Sequence, residues 1–380
     1  MNRNVREFDA ARGGVLPSPG LSAVLGNRLL GSLQRAGQRA KAERYVSGLL
    51  ALPGRKTLRN IATQFDGAAA QQSVHHFIST SPWQWMPIRH ALARHVQQAL
   101  APQAWVIVST VIPKAGPHSI GVDQLYLPRR EQSVNGQHAV GTWLASSRFA
   151  VPVDWRLRLT GRWLEDPLRR RAGVPHSVTG GTLEQCVRDA VTHVVIAGDA
   201  PVAPVVVDVD GIDAVMLARS LSAMKLAYLI RVGAEAQLRL HRAHLPKYGD
   251  RERTAGELAA SLTRLRQRVN PGDGPTTAAA IPVVAPPSGT RAGGLTLVAE
   301  WSDGPVGARL WLTAAEVPPL ATLLRLTRLT SVVDRDFTDI SEGVGMTDFA
   351  GRSFPGWHRH ITLSSVAHLV AATRRLGAAA

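Results

Sequence analysis

The chain has 380 residues, 45% hydrophobic and 19% charged, a balance that describes a folded globular protein and excludes an intrinsically disordered one. Lys and Arg number 44 against 28 Asp and Glu, and the formal net charge of +16 favours polyphosphate partners through counterion release. A single Cys186 excludes an internal disulfide or a cysteine-rich zinc site, and no apolar run spans a bilayer, so a cytoplasmic protein with no membrane partner is expected.

The first 20 residues, with Gly13-Gly14 and Pro17-Ser18-Pro19, read as a flexible arm. Residues 21–103 carry helical spacing in short pieces. Leu25, Leu29, Leu30 and Leu33 form one stripe, and Tyr45, Leu49, Leu50 and Leu52 another. Further helices are predicted after Gly54, over Gln71–Ile78, and from Trp85 to Leu100 with Ser81-Pro82 as its start signal. Residues 1–100 hold thirteen Lys and Arg against four Asp and Glu. Such Arg-rich faces suit a DNA-binding module of helix-turn-helix type, and equally an ordinary helical domain with snorkelling arginines.

At Trp105 the pattern changes to strands. Trp105–Val108, Ser119–Leu127, His138–Leu144 and Phe149–Leu159 are followed by a helix over Thr182–Ala197. The apolar run Val205-Val206-Val207 ends in Asp208, then a helix over 213–224 and a strand over Leu226–Val232 complete the segment. Strands first, then strands alternating with helices, predict an α/β fold whose RNase H-like core begins at 104–234. Residues 235–317 are rich in β and turn signals, among them Asn270–Pro275, Pro286–Gly289, and a hairpin of Leu295–Trp301 with Ala308–Leu312 through Ser302-Asp303-Gly304. Residues 318–380 close the chain with helices over Pro319–Ile340 and Ile361–Leu376.

Three segments carry a resemblance. They are Pro113-Lys114-Ala115-Gly116-Pro117-His118-Ser119-Ile120-Gly121-Val122, Val205–Asp208, and Asp348-Phe349-Ala350-Gly351-Arg352-Ser353 continuing through Gly356-Trp357-His358. Over residues 40–370 the chain resembles IS701-type insertion-sequence transposases of the IS4-like DDE group, with Glu165-Asp166-Pro167 a further match. The resemblance implies DNA as partner, a β-rich insertion before the last acid, and two divalent ions, Mg²⁺ or Mn²⁺, clamped by three carboxylates. It places the first acid at Val108, followed by Ser109, the second at Asp208, and the third at Asp334 ahead of Phe337. Valine offers no ligand, serine only a neutral oxygen, and Asp334 stands where a longer Glu is usual. Val111-Ile112 replaces a glycine-aromatic pair and Gly211 a tyrosine.

Asp123 on a following strand is the best substitute ligand, since adjacent strands lie about 5 Å apart. Asp210 and Asp213 are further candidates, and all three also read as solvated turn acids. Arg55, Lys56, Arg59, Lys114 and Arg352 are expected to contact DNA. His75-His76 point apart on a helix, His118 beside Ser119 lacks an orienting third group, and His358 and His360 read as packing residues. No phosphate-binding glycine motif occurs. Three functions follow: a transposase-derived DNA-binding protein without standard cleavage, an active transposase with a rearranged metal site, or a cleft turned to a small organic molecule. Assembly as a homodimer is left open.

Overall fold

A computed structural model describes residues 23–127, 131–192, 203–248, 251–285, 294–301, 307–316 and 318–378. The expected arm at 1–20, the Pro286–Gly289 turn and the Ser302–Gly304 link lie outside the described residues, as does the end of the helix expected to reach Ala197. The N-terminal helices are α1 (Ala23–Leu30), α2 (Ala36–Ala51), α3 (Leu58–Ala62), α4 (Ala70–His75) and α5 (Met86–Leu100), with a π turn over His76–Thr80. Leu29, Leu30, Leu33, Tyr45 and Leu49 are buried, as their spacing predicts. Thr57 caps α3 by accepting from the Asn60 N–H. Ser81-Pro82 is not the start of α5. That helix begins at Met86 with Pro87 in its first turn, where a missing N–H costs nothing.

The first four strands depart from the expected bounds, the first and third being longer and the second and fourth shorter. They are β1 (Ala104–Pro113), β2 (Val122–Leu127), β3 (Gln132–Ala145) and β4 (Ala150–Leu157), followed by α6 (Gly161–Leu164), α7 (Leu168–Ala172) and α8 (Leu183–Ala190). Next come β5 (Val205–Asp208), α9 (Ala214–Ala223), β6 (Tyr228–Arg231), β7 (Gln237–Leu240), β8 (Arg253–Thr254), α10 (Ala255–Ser261), β9 (Gln267–Val269) and β10 (Thr276–Val284). The chain ends with β11 (Leu295–Trp301), β12 (Arg309–Ala314), α11 (Leu320–Asp336), a π turn over Phe337–Ser341, and α12 (Phe354–Ala378).

One mixed sheet runs in the order β2-β3-β1-β5-β6-β12-β11-β10-β7-β8. The β1–β5 and β5–β6 pairs are parallel, and the remaining pairs are antiparallel. The β-rich segment therefore joins the same sheet, through Trp311 opposite Arg231 and Leu312 opposite Ile230. Along its 14 residues β3 pairs with β1 on one side, and on the other with β2 and then β4.

Helix α12 starts seven residues earlier than its periodicity predicts and carries Trp357, His358 and His360 inside the fold. It packs on β4, α2 and the His76–Thr80 turn. Buried polar groups fasten it. Arg89 of α5 donates to Asp154 Oδ1 at 2.7 Å, to the Trp155 carbonyl at 2.8 Å and to Thr362 Oγ1 at 2.8 Å. Burial lowers the Arg89 pKa to about 10 even against the pull of Asp154. Its Nη2 also lies 3.1 Å from His358 Nδ1, which must accept. His360 Nε2 donates to the Gly345 carbonyl at 2.9 Å, so its Nδ1 accepts from the Tyr45 hydroxyl at 2.8 Å. His368 repeats the arrangement with the Ala150 carbonyl and the Ser341 hydroxyl, each at 2.8 Å.

These three histidines are held neutral by burial: His360 and His368 are lowered to about 4, and His358 falls well below 6.5, with Arg89 adding to the effect. In the unfolded chain each protonates near 6.5. The unfolded state therefore binds up to roughly three more protons below that pH, and stability falls as pH drops from about 6.5 towards 4. Urea unfolding near pH 7 and near pH 4.5 checks this, and an unchanged midpoint would contradict it.

Candidate active-site cleft

Parallel pairing of β1 with β5 sets Val108 directly opposite Asp208. There β5 ends, while β1 continues to Pro113 paired only with β3 among the described strands. The edge of β1 that β5 leaves uncovered borders a cleft of about 820 Å³. Val108, Ser109, Val111, Asp210, Asp334 and Phe337 are among its lining residues.

The acids of this region have different roles. Asp208 lies at the strand end with Arg231 Nη1 at 3.9 Å, and Arg231 in turn lies over the Trp311 ring at 5.5 Å from the centroid. Asp210 is exposed in the turn after β5, which Gly211 completes with a positive φ of 74°. Asp213 is the N-cap of α9, accepting from the Met216 N–H at 2.9 Å. Asp334 lies on the exposed side of α11, whereas Asp336, two residues on, points inward. The Asp336 carboxylate is buried and accepts from the Ala150 N–H at 2.7 Å and from Arg335 Nε at 2.9 Å. Sequence reading passed over Asp336, although Val333, Asp336 and Ile340 share the spacing of one buried helical face.

Asp123 is not beside β1. It lies on β2, opposite Gly136 of β3, and β3 separates that strand from β1. Gly136 also pairs with Pro113, five residues along β1 from Val108, so Asp123 is remote from Asp208 in both directions of the sheet. Its carboxylate instead accepts from the Thr160 hydroxyl. Among the described residues, no group of three or more His, Cys, Asp and Glu could hold a metal ion.

The basic candidates divide likewise. Lys56 is buried, with its ammonium donating to the Leu52 carbonyl and its backbone N–H to Asp348 Oδ2 at 2.7 Å, so it offers no surface charge. Lys114 donates to the carbonyls of Thr347 at 2.6 Å and Phe349 at 2.8 Å, and burial lowers its pKa to about 8. Arg55 is exposed, with Nε 3.6 Å from Asp348 Oδ1; Arg59 and Arg352 are exposed as well. His75, His76 and His118 are exposed, and the Ser119 hydroxyl donates to the Ala350 carbonyl at 3.0 Å.

Two of the sequence motifs thus form one structure. Lys114 and Ser119 bond the backbone of Thr347–Ala350, and the Ile120 N–H donates to the Gly351 carbonyl at 3.1 Å. A Cβ on Gly351 would come within 2.4 Å of the Phe349 ring, so the close approach demands glycine. Lys114→Met leaves two inward carbonyls without their donor and is expected to destabilise the fold by about 1–3 kcal/mol. Arg352→Met is expected to change stability by no more than about 0.5 kcal/mol. Thermal unfolding of both variants checks the contrast, and equal effects would contradict it.

A family model described as DDE superfamily endonuclease matches residues 28–282. The match takes in Val108 on β1 and Asp208 on β5, while Asp334 lies beyond it. No curated protein matches the chain. With the matched residues making up two thirds of its length, the chain belongs to the DDE superfamily endonuclease family.

Proposed function

We propose that this chain is a transposase-derived DNA-binding protein of the IS701 type that does not carry out standard two-metal cleavage. The observation that carries the reading is the register of Val108 against Asp208. Members of this superfamily typically use divalent metals, and a two-metal clamp needs carboxylates converging from neighbouring elements. At the strand position facing Asp208 this chain offers a hydrocarbon side chain, and Asp208 itself already has a guanidinium 3.9 Å away. The donor set does not fit a two-metal clamp. The order β2-β3-β1-β5-β6, with β1, β5 and β6 parallel, supports an RNase H-like core for this scaffold.

DNA contact rests on the family and on charge. A net charge of +16 attracts a polyphosphate, and Arg55, Arg59 and Arg352 remain exposed to meet it. Lys56 and Lys114 serve the fold instead. A second reading, an enzyme with a rearranged site, draws support from Asp210 and Asp334 lining the same cleft.

Fluorescence anisotropy with a labelled DNA duplex at about 50 and about 200 mM salt tests the proposal. Affinity is expected to fall more than about tenfold between the two, and Arg59→Glu combined with Arg352→Glu to weaken binding further. A supercoiled plasmid incubated with Mn²⁺ is expected to stay intact. Nicking that disappears in Asp208→Ala or Asp334→Ala would establish the rearranged enzyme, and absence of DNA binding at low salt would overturn both readings.

A further inference from the structure

The cleft has one wall that DNA cleavage does not explain. In β-sheets, residues paired in register project to the same face. Val111 of β1 lies opposite His138 of β3, and the Arg158 N–H, just past β4, donates to the His138 carbonyl at 2.8 Å. Four residues back along β3, on the same face, Val134 lies opposite Leu125 of β2. The pairing therefore lays an apolar floor of Val111, Val134 and Leu125 beside an imidazole and a guanidinium. Leu183, at the start of α8, closes it from the helix side, and all six residues line the 820 Å³ cleft.

Arg158 is the feature that calls for a ligand. Its Nε is buried and has no hydrogen-bond partner, and no ion pair to it occurs among the described residues. A buried guanidinium N–H without an acceptor is costly, and a planar oxyanion satisfies it together with the neighbouring Nη in a bidentate manner. His138 adds no second positive charge, because burial, and then Arg158, lower its pKa to about 4. Asp210 and Asp334 elsewhere along the lining disfavour a multiply charged anion.

We propose that this floor binds a small organic molecule carrying one carboxylate, with the carboxylate on Arg158 and an apolar or aromatic body over Val111, Val134 and Leu125. A single guanidinium matches a single negative charge, and the cleft volume lies within the range of about 300–1,000 Å³ usual for small-molecule sites. This ligand site is independent of the DNA reading, since it uses none of the exposed arginines assigned to DNA.

Calorimetric titration of the full chain with 1-naphthoate, its neutral analogue 1-naphthamide, and inorganic phosphate tests the assignment. Naphthoate is expected to bind at least about tenfold tighter than the amide, and phosphate not to displace it. Arg158→Gln is expected to erase the preference for the acid. Val134→Trp, which fills the floor without touching Arg158, is expected to abolish binding of both naphthalenes. Equal affinity for acid and amide in the unmodified chain would overturn the proposal, and displacement by equimolar phosphate would reassign Arg158 to a phosphate site. Naphthoate binding that survives Val134→Trp would place the ligand elsewhere, whether or not Arg158→Gln folds. Naphthoate binding by a chain that binds no DNA would leave this site standing and remove the DNA reading alone.

Discussion

The buried contact between Arg89 and Asp154 is the interaction on which the rest of the structure depends. It joins α5 to β4, and through Thr362 and His358 it reaches α12. Both charged groups are essentially inaccessible, at 1% and 0% of side-chain surface. An ion pair in that setting holds because every strong donor is used: Arg89 bonds a carboxylate, a hydroxyl and two carbonyls. Removing Asp154 would leave the buried Arg89 charge uncompensated, a loss of about 3–5 kcal/mol, whereas without Arg89 the Asp154 carboxylate keeps Arg156 Nε at 3.2 Å. The N-terminal helices, the sheet and the last helix therefore form one cooperative body.

Within that body, residues that hold the scaffold are distinct from residues that line the cleft. Several motif residues that match the transposase pattern are held by contacts within the fold: Lys114 and Ser119 bind the Thr347–Ala350 backbone, while His358 accepts from Arg89. Altering Lys114, Ser119 or His358 breaks packing or leaves polar groups buried without partners. Of the positions that depart from the pattern, Val108, Val111 and Gly211 lie along the cleft, where substitution changes what the cleft can hold rather than whether the sheet forms, while Ile112 is buried.

Much of the fold was legible because hydrophobic periodicity reports burial directly. The apolar runs at Trp105–Val108 and Val205–Val207 are central strands, and the leucine stripes of the first helices are buried. What was not legible required a third dimension. Asp123 follows β1 closely in sequence, yet β3 intervenes, because that strand is long enough to pair β1 on one side and β2 on the other. The last helix was expected from Ile361, yet α12 begins at Phe354 with Pro355 and Gly356 in its first turn, where proline is tolerated and the Phe349 ring needs the space beside Gly356. Lys56 and Lys114 count as positive charges in any composition, and only their carbonyl partners show that they are committed to the fold. The pair Asp334 and Asp336 gives the same lesson at two residues' distance, one acid facing the cleft and the other holding β4.

On the proposed function, Val108 opposite Asp208 deprives this scaffold of its grip on a divalent ion. Calorimetric titration of Mn²⁺ into the unmodified chain and into Val108→Asp measures that grip without reference to any DNA substrate. Weak or undetectable binding is expected for the unmodified chain, and affinity at least about tenfold higher once a second carboxylate faces Asp208. Equal, tight Mn²⁺ binding by both would contradict it, and would show that the cleft assembles a metal site from other residues.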